Sequence, residues 1–165
     1  MNLKNLNKNF FVNSLIVLSI FFIDRLSKIY VIYLDEIFLG SEIFSSKFLN
    51  ISLIWNEGIA FGLFSFTEKT FYNFLTIIIL IIILVIFFMI IKSRGLKKYS
   101  LIMILGGAAG NFFDRVVAKA VPDFIDLHVG DFHWFIFNIA DVFITLGVIL
   151  MIILEFADNN KEKKL

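Results

Sequence analysis

The chain has 165 residues, of which 59% are hydrophobic and 18% are charged. This apolar share exceeds the ~45–50% of a soluble domain, and the mean hydropathy is +0.90, so the composition excludes an ordinary soluble domain and indicates one compact membrane unit. No cysteine is present, which excludes disulfides, a thiol nucleophile and thiolate metal ligands, while the net charge of +1 by itself says nothing about partners.

Four apolar segments are long enough to cross ~30 Å of hydrocarbon as helices. They are residues 10–33, 71–91, 101–117 and 134–156. We therefore expect an all-α integral membrane protein with four transmembrane helices, folded as a single domain. The first segment follows two lysines, as in a signal peptide, but no small-residue cleavage site follows, so we predict an uncleaved anchor. The second segment has a long run without charge and is predicted to be a lipid-facing scaffold.

The distribution of Lys and Arg predicts how the helices are oriented. Basic residues concentrate at the amino end, between the second and third segments, and in the tail: Lys4, Lys8, Lys92, Arg94, Lys97, Lys98, Lys161, Lys163 and Lys164. The connections 34–70 and 118–133 instead hold eight acids against three lysines. Because the more basic side stays cytoplasmic, we expect both termini in the cytoplasm and both acidic loops outside.

Polar residues within the apolar segments fall at helical spacing, although a charge there costs roughly 2.5 to 3.5 kcal/mol on insertion scales. The pairs at i,i+3 or i,i+4 are Asp24–Lys28, Asn111–Asp114, Asn111–Arg115 and Asn138–Asp141. With the predicted orientation, Asp114 and Asp141 lie roughly 5 and 10 Å below the outer boundary, at ~1.5 Å per residue. Small residues at 106–110 allow helices to approach closely. Three segments are thus predicted to converge on one polar site, and the apolar second segment is predicted to close the bundle.

Two carboxylates in a small, poorly solvated space share one proton, so one can activate water while the other donates to a carbonyl oxygen, as in aspartic peptidases. The chain lacks the Gly-x-Ser-x-Gly motif of a serine hydrolase, and its two candidate histidine bases, His128 and His133, fall in an outer loop. The His-Glu-x-x-His of a metallopeptidase is also absent. Two alternatives stay open on spacing alone: structural ion pairs with Arg25, Lys28 and Arg115, or a small four-helix proton-coupled transporter that uses the intramembrane acids. The long first outer loop and the absence of an internal repeat disfavour the transporter.

Several sequence blocks, taken in order, resemble the aspartate motifs of the lipoprotein signal peptidases, the signal peptidase II family. The blocks are Asp24-x-x-x-Lys28, Asn56-x-Gly-x-Ala-Phe-Gly62, Gly106-Gly-Ala-Ala-Gly-Asn-Phe-Phe-Asp-Arg115, Asp123-Phe-Ile-Asp126 and Phe137-Asn-Ile-Ala-Asp141. The resemblance implies that Asp114 and Asp141 form the catalytic dyad. It also implies substrate-binding or supporting roles for Asn56, Asn111, Arg115, Asn138, Asp24, Lys28, Gly110 and Ala140.

That family cleaves bacterial prolipoproteins before a cysteine that carries a diacylglyceryl group, and globomycin inhibits it. The resemblance therefore implies a multi-pass aspartic endopeptidase of the bacterial cytoplasmic membrane, with its active site near the outer face. Diacylglyceryl-modified prolipoproteins, membrane lipids and globomycin are the expected partners. We expect a monomer with no cofactor, no bound metal and no nucleic acid.

The two outer loops carry the departures from the family pattern. Glu57 stands where the family often has asparagine, Ile59 where it has alanine, and Pro122 where it has an aliphatic residue. Alternation over 48–55 predicts a strand, hence a small β-structured element between the first two helices. The aromatic and aliphatic residues after it are predicted to contact lipid headgroups or a lipidated substrate: Phe61, Leu63, Phe64 and Phe66. The ionisable residues of the second loop are expected to be solvated or capping rather than metal ligands: Asp123, Asp126, His128, Asp131 and His133. Trp134 is expected to lie at the membrane interface.

Overall fold

Four α-helices and one small antiparallel sheet make up the computed structural model, which describes residues 3–58 and 69–162, with side chains for 10–58 and 72–158. In chain order the elements are α1 (Leu3–Ile37), β1 (Phe44–Ser45), β2 (Leu49–Asn56), α2 (Lys69–Lys92), α3 (Gly95–Val117), β3 (Val121–Val129), β4 (Phe132–His133) and α4 (Ile139–Glu162). The predicted number of helices is confirmed. The lipid-contacting role predicted for the aromatic residues between 59 and 68 lies outside the described residues.

Three helices of the described part are long and apolar enough to cross a membrane, over Tyr72–Lys92, Gly95–Val117 and Ile139–Asp158. Helix α1 is 35 residues long, and it exposes large apolar side chains along its length, such as Leu18 and Phe22. Helices of this length with exposed apolar side chains are suited to hydrocarbon rather than water. The chain is therefore a multi-pass membrane protein, and the side on which its termini lie stays a prediction.

Helix α3 is the central helix, because it packs against α1, α2 and α4. Its glycines explain how closely the neighbours approach. A Cβ atom on Gly106 would lie 2.8 Å from the Ile20 Cβ of α1, and one on Gly107 would collide with the Ala140 carbonyl oxygen of α4. On its other side, α3 forms an apolar cluster with α2 that consists of Ile86, Ile90, Leu101 and Ile102.

The sheet has the strand order β1-β2-β3-β4, and neighbouring strands are antiparallel. Strand β2 confirms the small β element that the alternation over 48–55 predicts. Strand β3 extends it, because residues of the second outer loop pair with β2 in a register that places Asn50 opposite Asp126. The reason is backbone pairing: β2 alone would leave many of its N–H and C=O groups without partners. Asp123 and Asp126 are consequently buried rather than solvated.

Candidate active site

Lys28 is the centre of the polar network between α1 and α3. Its side chain is completely buried, and Nζ donates hydrogen bonds to Asp24 Oδ2 at 2.8 Å, Asn111 Oδ1 at 2.8 Å and Asp114 Oδ2 at 2.7 Å. Arg25 donates to the other carboxylate oxygen of Asp114. Asp114 is therefore held between two cations, and one face of α1 is fixed to α3.

Asp24 extends this network from α1 to α4. Its Oδ1 accepts a 3.0 Å hydrogen bond from the backbone N–H of Ala140, in the first turn of α4, where the helix dipole favours a carboxylate. The contact requires Gly110 on α3, because a Cβ atom there would collide with the Asp24 carboxylate. Gly110 and Ala140 therefore allow the three helices to meet around one carboxylate.

Asn138 and Asp141 form a reciprocal cap at the start of α4. The Asp141 N–H donates to Asn138 Oδ1, and the Asn138 N–H donates to Asp141 Oδ2, both at 3.1 Å. This cap explains why α4 begins five residues after the predicted start of the fourth segment. Asn111 Nδ2 donates to the other oxygen of Asp141 at 2.8 Å. Since Asn111 also accepts from Lys28, its amide joins the Asp114 cluster to Asp141.

Asp123, at the start of β3, is the fourth carboxylate of the site and is 4% exposed. Asn138 Nδ2 donates to its Oδ1 at 2.6 Å, and Asn56 Nδ2 donates to its Oδ2 at 2.8 Å. Burial raises the pKa of the Asp123 carboxyl to about 6, and the charge of Asp141 also raises it, against the lowering effect of the two amides and of Lys28. Asp123 thus retains a proton more readily than an ordinary aspartate, and Asn138 connects it with Asp141.

Arg115 fixes the turn that carries Asn56. Its guanidinium donates to the carbonyl oxygen of Asn111 at 3.2 Å and to that of Gly58 at 3.1 Å. The Gly58 N–H in turn donates to Asn56 Oδ1 at 2.9 Å. Because Oδ1 is occupied in this way, the Nδ2 group of Asn56 is directed to Asp123. Arg115 therefore orients the Asn56 amide through the Gly58 peptide.

Asp123 and Asn56 line an open cleft of about 600 Å³ at the end of the bundle that carries the sheet. The other lining residues are Ile54, Trp55, Glu57, Gly58, His133, Trp134, Phe135 and Ile136. A cleft of this size and largely apolar character can bind a peptide segment. Lys28, Asp114 and Asp141 are not among the lining residues. Within 3–58 and 69–162, no three His, Cys, Asp or Glu side chains are placed to hold a metal ion.

The structure brings all ten residues of the predicted site into this one network. It separates the two aspartates of the predicted dyad, however, because Asp114 reaches Asp141 through Lys28 and Asn111. Asp123 is not among the predicted site residues, yet Asn138 joins it to Asp141. The signal in the sequence that points to it is its place in the resembling block 123–126.

A helical membrane bundle with buried carboxylates, held by amide donors beside a cleft, is typical of membrane-embedded enzymes that perform acid–base chemistry. The comparisons with known proteins are more specific. A family model described as signal peptidase (SPase) II matches residues 16–157. A lipoprotein signal peptidase of Pelagibacter ubique (strain HTCC1062) is 51% identical over 162 residues, which cover 98% of this chain and 97% of that protein.

A second lipoprotein signal peptidase, from Anaplasma phagocytophilum (strain HZ), is 39% identical over 140 residues, which cover 84% of this chain and 88% of that protein. A solved structure of a bacterial membrane enzyme, obtained by the in meso method, is 34% identical and has a TM-score of 0.73, with 93% of each chain covered. The chain therefore belongs to the signal peptidase II family, and it is a peptidase. The family resemblance of its sequence motifs is confirmed.

Proposed function

We propose that the chain removes signal peptides from diacylglyceryl-modified bacterial prolipoproteins, cutting before the lipidated cysteine with two carboxylates that activate water. The observation that carries the proposal is the bridge made by Asn138, whose side chain holds the cleft-lining Asp123 and whose backbone N–H holds Asp141. Membership of the family supports the substrate class, since relatives at 51% and 39% identity are lipoprotein signal peptidases.

The contacts favour Asp123, rather than Asp114, as the partner of Asp141. Both oxygens of Asp114 accept from cations, Lys28 and Arg25, so neither is free to take a proton from water. Asp123 lines the cleft, and neither Asp114 nor Asp141 does. Asn138 joins Asp141 directly to Asp123, however, whereas Asp114 reaches Asp141 only through Lys28 and Asn111. We therefore assign Asp114 a positioning role: it fixes α1 on α3 and, through Lys28, holds the amide that orients Asp141.

In the proposed reaction Asp123 starts protonated and Asp141 starts ionised, a division that the raised pKa of Asp123 supports. Asp141 takes a proton from water while the water oxygen attacks the scissile carbonyl carbon, and Asp123 donates its proton to the carbonyl oxygen, which gives a neutral gem-diol. Asp141 then donates its proton to the amide nitrogen as the C–N bond breaks, and Asp123 regains one from a diol hydroxyl. The products are a free carboxyl and a free amine, and the pair returns to its starting state.

The orientation predicted from the basic residues supports a site near the outer face. This predicted orientation requires that α1 is a fourth membrane-spanning helix. The apolar side chains exposed along α1, such as Leu18 and Ile29, support this requirement. With both termini cytoplasmic, the sheet and the start of α4 lie at the outer end of the bundle. A substrate whose acyl chains remain in the outer leaflet can then place its peptide bond in the cleft, and globomycin is expected to compete for the same place.

The test compares three aspartate variants for cleavage of a lipidated prolipoprotein in detergent, with globomycin as the control for specific cleavage. Asp123→Asn and Asp141→Asn are each expected to abolish cleavage in protein that stays folded. Asp114→Asn is expected to lower both stability and cleavage, because it leaves Arg25 and Lys28 with less compensation. Substantial cleavage by Asp123→Asn would overturn the assignment of this carboxylate.

A double variant separates positioning from catalysis at Asp114. Arg25 pairs with Asp114, so Asp114→Asn combined with Arg25→Gln removes both charges and is expected to recover part of the lost cleavage. A catalytic Asp114 would show no recovery. Among the described residues, no contact favours the proton-coupled transporter. Absence of cleavage together with proton-coupled flux in liposomes would support that alternative instead.

A further inference from the structure

The part of the sheet around residues 125–129 of β3 has one apolar face and one polar face. Directly paired residues of antiparallel strands share a face, and so do alternate residues along one strand. By this rule the apolar face of this part includes Phe44, Ile51, Ile125, Leu127, Val129 and Phe132. Asp123 lies on the same face, further along β3 and next to the cleft. The opposite, polar face includes Ser45, Asn50, Asp126, His128 and His133. This part of the sheet is therefore amphipathic.

The polar face is internally hydrogen-bonded. Asn50 Oδ1 accepts from Ser45 Oγ at 2.9 Å and lies 3.2 Å from His128 Nε2. Asp126 Oδ2 lies 2.7 Å from His133 Nδ1, and the two imidazole rings stack with centroids 4.9 Å apart. Two buried atoms on this face, Asp126 Oδ1 and His128 Nδ1, have no hydrogen-bond partner among the described residues, and buried polar atoms of this kind bind water. Ser45 is exposed and the His133 side chain is 50% exposed, so this face belongs on the aqueous side.

The outer part of the apolar face is uncovered within the described structure. Phe44 is 52% exposed, Leu127 44%, Val129 68% and Phe132 66%. Scattered apolar side chains on a surface need no explanation, but a contiguous patch of large ones marks a contact with another apolar phase. The patch ends at the β3–β4 hairpin, where Val129 pairs with Phe132.

The connections hold the sheet close to the ends of the membrane helices. Strand β1 begins seven residues after α1 ends, β3 begins four residues after α3 ends, and β4 ends six residues before α4 begins. Exposed apolar side chains at the end of α1, Ile37 and Phe38, extend the apolar surface of the bundle toward the sheet. A sheet tethered in this way, with one apolar face, lies at the boundary between lipid and water.

We propose that the apolar face of the sheet binds the adjacent leaflet of the bilayer, with Val129 and Phe132 at the hairpin as its anchor. Elements that lie in the interface bury their apolar side by about 5–10 Å at the boundary of headgroups and acyl chains. Lys47, whose ammonium lies 5.3 Å from the Phe48 ring, adds a cation that suits anionic headgroups. Through β3, this contact fixes the height of the cleft above the membrane.

The anchoring does not depend on which carboxylates react, and single-cysteine labelling tests it directly. Since the chain has no cysteine, Val129→Cys, Phe132→Cys and His133→Cys can each carry one environment-sensitive fluorophore in nanodiscs. His133 is the matched control, because it follows Phe132 in β4, lies on the polar face and has a side chain that is 50% exposed. Nitroxide lipids should quench the fluorescence of the labels at 129 and 132 but not that of the label at 133. Aqueous iodide should quench the label at 133 but not the labels at 129 and 132.

Two results would overturn the proposal: iodide quenching at 129 and 132 as strong as at 133, or protection of both labels from both quenchers, which would identify a second protein copy as the cover. A labelled variant is used only if its unfolding temperature matches that of the unlabelled protein. If the label at 129 or at 132 fails this criterion, the other position carries the test alone. As a second readout, Phe132→Ser should raise the KM for a bilayer-embedded substrate without changing the kcat in detergent. Asp131→Ser, in the same hairpin, should change neither the KM nor the kcat. An equal increase in KM for the Phe132→Ser and Asp131→Ser variants would also contradict the proposal.

Discussion

Replacement of Lys28 by methionine should lower the free energy of unfolding by about 3 kcal/mol. Methionine keeps an apolar stem but removes Nζ, which donates to Asp24, Asn111 and Asp114 at 2.7–2.8 Å. Three ordinary side-chain hydrogen bonds, one within α1 and two to α3, would account for only about 2 kcal/mol if each contributes the ~0.6 kcal/mol typical between membrane helices. A buried charge left without its partner costs about 3–5 kcal/mol. We expect the lower end because Arg25 still neutralises Asp114, so the loss falls mainly on Asp24.

The measurement is unfolding in mixed micelles with increasing SDS, followed by circular dichroism. Lys97 is the matched control, because it also pairs with two acids, Glu155 at 3.2 Å and Asp158 at 2.9 Å, but its side chain is 38% exposed. Lys97→Met should therefore cost about 0–1 kcal/mol. The double variant Lys28→Met with Asp24→Asn should be more stable than Lys28→Met alone. Equal losses for the two lysine variants, or no recovery in the double variant, would refute the role of Lys28 as the buried counter-charge.

Three further predictions concern the site. The kcat/KM should fall about tenfold per pH unit above about pH 6, because the raised pKa of Asp123 sets the point at which the pair loses its shared proton; activity that increases from pH 6 to pH 8 would contradict this. Asn56→Ala should move the fall to higher pH, since the Asn56 amide lowers the pKa of Asp123, and an unchanged profile would exclude this tuning. Gly110→Ala should cost about 1–3 kcal/mol in the same SDS titration, because its Cβ collides with Asp24; wild-type stability would show that α1 and α3 lie further apart.

Local patterns in the sequence predict much of this arrangement. Apolar length identifies the helices, and spacing by three or four residues identifies the faces that carry Asp24, Asn111 and Asn138, because both are properties of a single helix. The counter-charges are a different matter. Asp114 is neutralised by Arg25, a residue 89 positions away, and no periodicity relates the two. The pairing of β3 with β2 is equally non-local, and for this reason the sequence predicts Asp123 as a loop residue rather than as part of a strand.

The four aspartates of the site network differ in the donors that hold them, and in the proposed mechanism this difference separates the structural acids from the reacting pair. Asp24 and Asp114 accept from cations, which compensate their charge and lock α1 to its neighbours. Asp123 and Asp141 form no salt bridge within the described residues and accept from amides, which stabilise a carboxylate without adding a counter-charge, so a proton can bind and leave. Asn138 belongs to both tasks: it caps α4, where loss of a cap costs about 0.5–2 kcal/mol, and it bridges the two exchangeable acids. Formation of the first turn of α4 and assembly of the carboxylate pair therefore depend on the same side chain.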